Sequence, residues 1–473
     1  MSGAGLTATL TATGHPLQRA GAWAVTVIAG KMRPEQVTSE DLDGVARSVL
    51  TDVVHCAVAA KTDKAYDWWK VLFALYPNSK ATHAGRPRDK ALLMKALEPL
   101  FVSDGDVGVR APCTFCGMSA SVLWAKSMLP LFDTNKALNS LPPGLRGWPV
   151  CRGCRVAVWA LPYGAWVTAG SATVLSCENP AAEYEFAARN VRRARRIGQV
   201  GFSGLGGGAR SELVALRALR AVEGGMSATT LWSFKNDNQE PWLRVSRTRR
   251  AVPRFLATVD GNRVLRRGWR LLELALTQRD REGRVSVDGV GEAARLVFEA
   301  EDGRSRSLVS QVHRLLWDTD RWTGGDRAAL TRLAFRYEKE VHGMEPDLKG
   351  VAILIADWIE HGSGSPRGRL AEYRNAGLSG YRLGQLLYQA GYRLKLDGRK
   401  VEVDPAAWQP LLGKQSRAWE HRMLLGAEVL RVLGERGVEV AEPPDDPQER
   451  ERVEALLEQP VLVADDEYYF GGA

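Results

Sequence analysis

Apolar residues recur at every third or fourth position along much of the chain, which is the spacing of one face of an α-helix. The first such stretch is predicted to start at Pro16, because proline suits the first turn of a helix. A second helix is predicted from Thr38 toward Ala60, since Thr38 and Asp41 have the spacing of a capping box. The apolar face of the first helix consists of Ala20, Trp23, Ala24, Val27 and Ile28.

The carboxyl-terminal part of the chain shows the same helical spacing almost without interruption. From about Gly268 onward, successive apolar faces are separated only by short polar breaks such as Gly324-Gly325. Helices joined by short breaks pack as antiparallel neighbours. We therefore predict a helical bundle here.

The stretch between these regions has mixed character and carries much of the positive charge. Ala182 to Arg196 is helical in composition, whereas Thr229 to Val245 is β-like. The chain has 473 residues, a net charge of +9 and a pI near 9.3, and the charge is segregated. Arginine bonds two phosphate oxygens with its planar fork, so clustered arginines favour an anionic partner. The candidate phosphate-binding residues are Arg192, Arg193, Arg195, Arg196, Arg247, Arg249 and Arg250.

Four cysteines form two pairs with metal-ligand spacing. Cys113 and Cys116 make one Cys-x-x-Cys knuckle, and Cys151 and Cys154 make the other. Each knuckle can direct two thiolates at one ion, so the spacing predicts a structural Zn²⁺ site. A redox pair or two disulfides are the alternatives. Four thiolates leave no open position on the metal, so this site is expected to stabilise the fold and not to catalyse a reaction.

These observations predict an α+β protein with a mixed N-terminal region, an inserted four-cysteine zinc module and a C-terminal α-helical bundle. The two remaining cysteines, Cys56 and Cys177, are expected to be small core residues. The predicted divisions are a mostly helical region at 1–110, the zinc module at 111–170, a basic mixed region at 171–265, the bundle at 266–440 and an acidic tail at 441–473.

No sequence motif for catalysis stands out. The chain lacks a G-x-S-x-G elbow, a Walker lysine and a His-Asp metal motif, and we therefore predict that it is not an enzyme. A nuclease would need a cluster of metal-binding carboxylates, which the acidic tail matches in composition only. The sequence also lacks a signal peptide and an apolar run of about 18 residues, so a cytoplasmic location without a membrane partner is expected.

An amide-rich loop lies within the β-like stretch. Amide side chains can pair with adenine edges and lysine with guanine, so Lys235, Asn236, Asn238 and Gln239 are candidates for reading DNA bases. A plain hairpin turn is the alternative.

Several motifs occur together, and their order along the chain is informative. They are Thr13-Gly14-His15-Pro16 before the small-residue helix that ends at Gly30-Lys31, the two cysteine knuckles, Leu161-Pro162-Tyr163-Gly164 after the second knuckle, and the Phe-Lys-Asn-Asp-Asn-Gln-Glu-Pro loop at 234–241. Together they resemble the large subunit of type I-B CRISPR effector complexes, known as Cascade, and in particular its Cst branch. The resemblance covers roughly the first 245 residues, and the bundle is similar in character only.

The resemblance implies a non-catalytic subunit of an RNA-guided antiviral surveillance complex. Such a subunit recognises the protospacer-adjacent motif in duplex DNA, helps R-loop formation, and contacts the crRNA 5′ handle region and the displaced strand. Its partners would be crRNA, double-stranded target DNA, the handle-binding, backbone and small subunits, and a helicase-nuclease or transposon targeting proteins. In related systems the small subunit starts inside the large-subunit gene, and Met344 is a candidate start for a 130-residue product. A stand-alone zinc-ribbon DNA-binding regulator is the alternative.

Overall fold

The computed structural model describes residues 9–104, 110–130, 147–205, 209–222, 224–235, 242–300, 307–316, 322–362, 366–401, 405–413 and 417–438. The described chain combines helices with small sheets, a cysteine cluster and a helical carboxyl-terminal part, which confirms the predicted fold class. It divides into two compact units. The first contains the described residues up to Val222 together with Ser227–Thr248, and the second contains 224–226 and the described residues from Arg249 onward.

The first unit is built mainly from helices that surround a buried central helix. Its helices are α1 Pro16–Ile28, α2 Ser39–Val58, α3 Ala65–Leu75, α4 Lys90–Leu97, α5 Arg152–Gly164, α6 Pro180–Val200 and α7 Ser211–Arg220. The predicted capping box of α2 is confirmed, because Thr38 and Asp41 each accept a hydrogen bond from the other's backbone N–H. Nearly every residue of α5 is buried, so this helix forms the middle of the core.

Helices α1 and α5 pack with their backbones in direct contact. A Cβ added at Gly21 would lie 1.8 Å from the carbonyl oxygen of Ala157, and one added at Gly164 would lie 2.2 Å from that of Ala20. Glycine is therefore required at both positions, because only a residue without a side chain permits this approach. The close contact fixes α1 against the helix that carries the second cysteine knuckle.

Most strands of the first unit are only two residues long, and the longer ones belong to one antiparallel sheet. They are β1 Ala111–Pro112, β2 Ser119–Ala120, β3 Leu123–Trp124, β4 Trp148–Pro149, β5 Trp166–Val167, β6 Ala172–Cys177, β7 Thr229–Lys235 and β8 Trp242–Thr248. Strands β1 and β2 pair, as do β3 and β4, around the cysteine knuckles. Within this unit β5, β6, β7 and β8 form consecutive antiparallel neighbours, with Lys235 opposite Trp242 at the end of the β7–β8 pair.

The second unit is helical, as the sequence predicts, apart from a few very short strands. Its helices are α8 Val252–Gly261, α9 Arg263–Leu276, α10 Gly289–Arg295, α11 Leu308–Leu316, α12 Gly324–Val341, α13 Lys349–His361, α14 Pro366–Ala376, α15 Gly380–Leu396, α16 Pro405–Leu412 and α17 Ala418–Glu435. Strands β9 Gln278–Arg279 and β10 Val285–Val287 form a hairpin, and β11 is Glu299–Ala300. Asp280 accepts hydrogen bonds from the backbone of Glu282 and Arg284, and Gly283 has φ +78°, which closes that hairpin turn.

Met344 lies between α12 and α13, where its backbone N–H bonds to the carbonyl of Glu338. A product that started at Met344 would include α13 to α17 and would lack α12. The predicted acidic tail at 441–473 lies outside the described residues.

Candidate metal centre and arginine surfaces

The first knuckle is a tight turn between β1 and β2. The backbone N–H of Gly117 bonds to the carbonyl of Cys113 at 2.9 Å, and the N–H of Cys113 bonds to the carbonyl of Met118 at 2.7 Å. Gly117 has φ +76°, a conformation that favours glycine. This geometry brings Cys113 and Cys116 to the same side of the turn.

The second knuckle opens helix α5. Cys151 is the N-cap of α5 and Cys154 lies in its first turn. The amino end of a helix carries partial positive charge, which favours thiolates there. Gly153, inside the knuckle, has no room for a side chain, because a Cβ would lie 2.3 Å from the carbonyl oxygen of Thr9.

The two knuckles direct their four sulfur atoms toward one point. The sulfurs of Cys113, Cys116, Cys151 and Cys154 all lie within 4.8 Å of one another, and those of Cys116 and Cys151 are 3.5 Å apart. A tetrahedral metal–thiolate site with bonds of about 2.3 Å has sulfur–sulfur distances of about 3.8 Å. The arrangement fits one metal ion held by four sulfurs.

The electrostatics of the cluster also favour a cation. Hydrogen bonds with the other three cysteines, followed by burial, raise the pKa of the Cys154 thiol, whereas a hydrogen bond from Cys116 lowers the pKa of Cys113. Without a cation, adjacent thiolates would repel one another. A metal ion removes this conflict by neutralising several thiolates together.

A buried glutamine connects α1 to the cluster. The Nε2 group of Gln18 donates to the sulfur of Cys154 at 3.5 Å and to the carbonyl of Thr11 at 2.8 Å. Its Oε1 accepts from the backbone and the hydroxyl of Thr13. Gln18 is fully buried, so its orientation is fixed by these bonds. At the other knuckle, the ring of His15 packs edge-on against Phe115, with ring centres 5.1 Å apart.

Two arginines anchor the second knuckle. Arg155 is fully buried, and its guanidinium donates to the carbonyls of Leu100, Val102 and Val150. It also pairs with Asp104 at 2.9 Å. Burial lowers the pKa of Arg155, although Asp104 opposes this shift.

The neighbouring arginine, Arg152, continues the same network. Its backbone N–H donates to Asp104 at 2.8 Å, and its side chain donates to Asp43 and to the carbonyl of Phe101. Sequence reasoning missed Gln18, Arg152, Arg155 and Asp104. The available signal was an arginine beside each cysteine of the second knuckle, at the start of an apolar run.

The four predicted phosphate-binding arginines of α6 differ in their exposure. Arg192, Arg195 and Arg196 are exposed, and their spacing places them on one side of the helix. Arg193 is buried, with its guanidinium 4.0 Å from the ring centre of Trp166, and burial lowers its pKa to about 10. The structure therefore does not support the expected phosphate contact of Arg193, because its side chain packs on an indole inside the protein.

The other three predicted phosphate-binding arginines are all exposed. Arg247 lies on β8, and Arg249 and Arg250 follow that strand. Arg249 donates to Glu299 at 2.8 Å, and both side chains are nearly half exposed, so this ion pair is weak. Lys235 is the last residue of β7, and the predicted base-reading residues Asn236, Asn238 and Gln239 lie outside the described residues.

Within the described ranges, no other group of three or more His, Cys, Asp or Glu side chains is placed to share a metal ion. None of the described helices is long and apolar enough to span a bilayer. No family model matches the chain, and neither a curated protein nor a solved structure matches it.

Proposed function

We propose that this chain is the large, non-catalytic subunit of a type I-B CRISPR RNA-guided complex. In this role it recognises the protospacer-adjacent motif in duplex DNA and helps to open the duplex. It acts in the cytoplasm with crRNA, the other Cascade subunits, and a helicase-nuclease or transposon targeting partner.

One observation carries the proposal. Several motifs on which the resemblance rests lie far apart in the sequence but contact one another in the folded first unit. Gln18 of α1 hydrogen-bonds to Cys154, and His15 packs on Phe115 inside the first knuckle. Gly164, which ends the Leu-Pro-Tyr-Gly motif, contacts the backbone of Ala20. Their contact within one core supports treating them as one structural feature.

We further propose that the cysteine cluster holds Zn²⁺ in a structural role. Four sulfur ligands suit zinc, and they fill its coordination shell. Cys113, Cys151 and Cys154 are buried, which supports a stabilising role over a reactive one. When bound, the ion supplies a cross-link between the β1–β2 turn and the start of α5.

Exposed arginines support contact with a phosphate backbone. Arg192, Arg195 and Arg196 form one side of α6, Arg247 is exposed on β8 of the same unit, and Arg250 is exposed in the second unit. In RNA-guided complexes base pairing reads the target sequence, while protein reads a short duplex motif and the backbone. Reading of that motif by Lys235, Asn236, Asn238 and Gln239 is part of the proposal.

The test is to co-express the tagged chain with its neighbouring genes and a CRISPR array, purify it, and sequence the bound RNA. We expect a discrete crRNA of about 60 nucleotides, estimated from a guide of about 20 bases plus its repeat flanks, together with other Cascade subunits. The same purification without the array is the control, and it should yield no discrete RNA.

Purified protein that lacks RNA and partner subunits, and still binds duplex DNA specifically, would contradict the proposal and favour a zinc-ribbon regulator. Magnesium-dependent cleavage of DNA by the isolated chain would contradict its non-catalytic character.

A further inference from the structure

Helix α15 carries a stripe of exposed side chains along one side. Tyr381, Tyr388 and Tyr392 expose 75%, 61% and 72% of their surface, respectively, and Leu396 exposes 82%. Residues seven and four positions apart lie on the same side of a helix, so these four side chains form one surface. Contiguous exposed apolar side chains on a folded protein mark places where another segment binds.

Two of these tyrosines border an open groove of about 730 Å³ within the second unit. Its other walls include Leu412 at the end of α16 and Trp419 in the first turn of α17. Tyr388 packs edge-on against the buried Trp408, with ring centres 5.2 Å apart, and Trp419 remains 39% exposed. The groove therefore offers aromatic and aliphatic surface to an apolar side chain, and it adjoins the exposed stripe of α15.

The part of the chain that forms the groove is basic. Residues 366–422 contain eleven lysines and arginines against five aspartates and glutamates, so their net charge is +6. Among them, Arg382, Arg393 and Lys395 are exposed on α15. An occupant of the groove should therefore combine apolar side chains with negative charge. A second copy of the same surface would bring like charges together, which disfavours self-association here.

The chain itself contains a segment with both properties. Residues 439–463, called here the acidic segment, follow α17 and lie outside the described residues. They contain eight aspartates and glutamates against two arginines, a net charge of −6. Apolar residues are interspersed among these charges, namely Val453, Leu456, Leu457 and the run Val461-Leu462-Val463. The charge of the acidic segment is thus equal and opposite to that of 366–422.

The acidic segment is long enough to reach the groove. Trp419 lies at the start of α17 and Val438 lies just beyond its end, and a helix of 18 residues spans about 27 Å. The 15 residues from Val438 to Val453 can extend over about 50 Å. A tether of this length holds a segment at an effective concentration on the order of 1 mM. Docking within one chain is therefore favoured over binding of a separate molecule.

We propose that the acidic segment docks into this groove of its own chain, with its apolar side chains on Tyr381, Tyr388 and Trp419. Its carboxylates then lie beside the exposed arginines of α15. The docked segment covers the tyrosine stripe and closes the groove to other ligands, so it controls access to this surface. The inference goes beyond the proposed function and does not depend on it.

The first test locates the acidic segment by photo-cross-linking in the full-length chain. The photoreactive amino acid p-benzoylphenylalanine replaces Tyr388, and the irradiated protein is digested and analysed by mass spectrometry. We expect cross-links to peptides from 439–463 within one chain. The same amino acid in place of Gln199, at an exposed position of α6, is the control and should give no such cross-link.

Two results of this test would overturn the inference. Cross-links only between two copies, found in products of dimer size, would assign the groove to self-association. Equal cross-linking to 439–463 from positions 388 and 199 would show that the acidic segment has no preferred site.

The second test measures how far the groove protects the acidic segment from trypsin, which can cleave after Arg450 and Arg452. The Tyr381→Ala/Tyr388→Ala variant should be cleaved there about 10-fold faster, because cleavage follows the population of the undocked segment. Leu456→Asp/Leu457→Asp, which changes the segment itself, should have a similar effect. The matched variant Tyr381→Phe/Tyr388→Phe keeps both rings and should be cleaved within about 2-fold of the unmodified chain.

The cleavage rates can also contradict the inference. Equal rates in the alanine variant and the unmodified chain would show that the tyrosines do not hold the acidic segment. An equal acceleration in the phenylalanine variant would show that the hydroxyl groups hold it, and not the rings. Neither result would bear on the RNA content of the purified complex, so the proposed function is tested separately.

Discussion

The side-chain amide of Gln18 donates a hydrogen bond to the sulfur of Cys154, across 136 positions of sequence. The bond joins the first helix of the chain to the first turn of α5. Hydrogen bonds to metal-bound ligands orient the ligand and tune its basicity. The amino-terminal helix therefore contacts the candidate metal centre directly.

Replacing Gln18 by leucine should weaken metal binding. The variant removes the donor to Cys154 and leaves the backbone groups of Thr11 and Thr13 without their buried partner. We expect metal affinity to fall about 10-fold and the free energy of unfolding to fall by about 1–3 kcal/mol. Competition with a chromophoric chelator measures the first effect, and urea denaturation the second. Gln199→Leu, at an exposed position of α6, is the control, and an equal effect there would contradict the assignment.

Replacing Gly21 by alanine should destabilise the first unit strongly. The new Cβ would collide with the backbone of Ala157, so α1 and α5 must move apart. We expect a loss of about 3 kcal/mol or more in the free energy of unfolding. Gly44→Ala is the matched control, because Gly44 is a helical glycine with no atom within 4 Å of an added Cβ. It should stabilise the protein by up to about 1 kcal/mol, and a loss as large as that of Gly21→Ala would refute the packing argument.

The two kinds of arginine on α6 should respond differently to substitution. Arg192→Ala/Arg195→Ala removes two exposed charges, so the slope of log affinity for duplex DNA against log salt should decrease by about 2. Arg193→Ala removes the buried contact with Trp166 and should instead cost about 1–3 kcal/mol of stability. Binding titrations over a range of salt, with thermal melts of the same samples, separate the two effects. A changed salt slope for Arg193→Ala would show that this side chain reaches phosphate.

A buried histidine in the second unit should make stability depend on pH. Burial, followed by the charges of Arg417 and Arg249, lowers the pKa of His342 to about 3. The folded state therefore keeps this ring neutral while the unfolded chain takes up a proton below about pH 6.5. The stability that depends on neutral His342 is complete above pH 6.5 and is lost as the pH falls toward 3.

The matching experiment is urea denaturation at pH 7 and pH 5. The His342→Gln variant cannot take up the proton, so it should lose about 2 kcal/mol less than the unmodified chain between these two values. His55→Gln, at an exposed position of α2, is the control. Identical pH dependence for His342→Gln and the unmodified chain would show that His342 is not held neutral by the fold.

The local features of this protein could be read directly from its sequence. Proline at position 16, the Thr38–Asp41 capping box and the helical spacing after Gly268 act over a few residues, and the structure has the predicted elements. The two Cys-x-x-Cys knuckles are equally local, because two intervening residues fix the geometry of each turn. That the two knuckles lie close together could be expected from chemistry, because a metal site with four sulfur ligands requires both pairs.

Tertiary structure decided the features that depend on distant partners. Arg193 and Arg192 are adjacent and chemically identical, yet only Arg193 is buried, because Trp166 from another element covers that side of α6. The role of Gln18 required α1 to pack on α5. Sequence alone indicated several of the helices and the four clustered cysteines, because those depend on bond geometry and short-range periodicity. The burial and contacts of a side chain depend on how elements that are distant in sequence pack together. They could therefore be determined only from the folded structure.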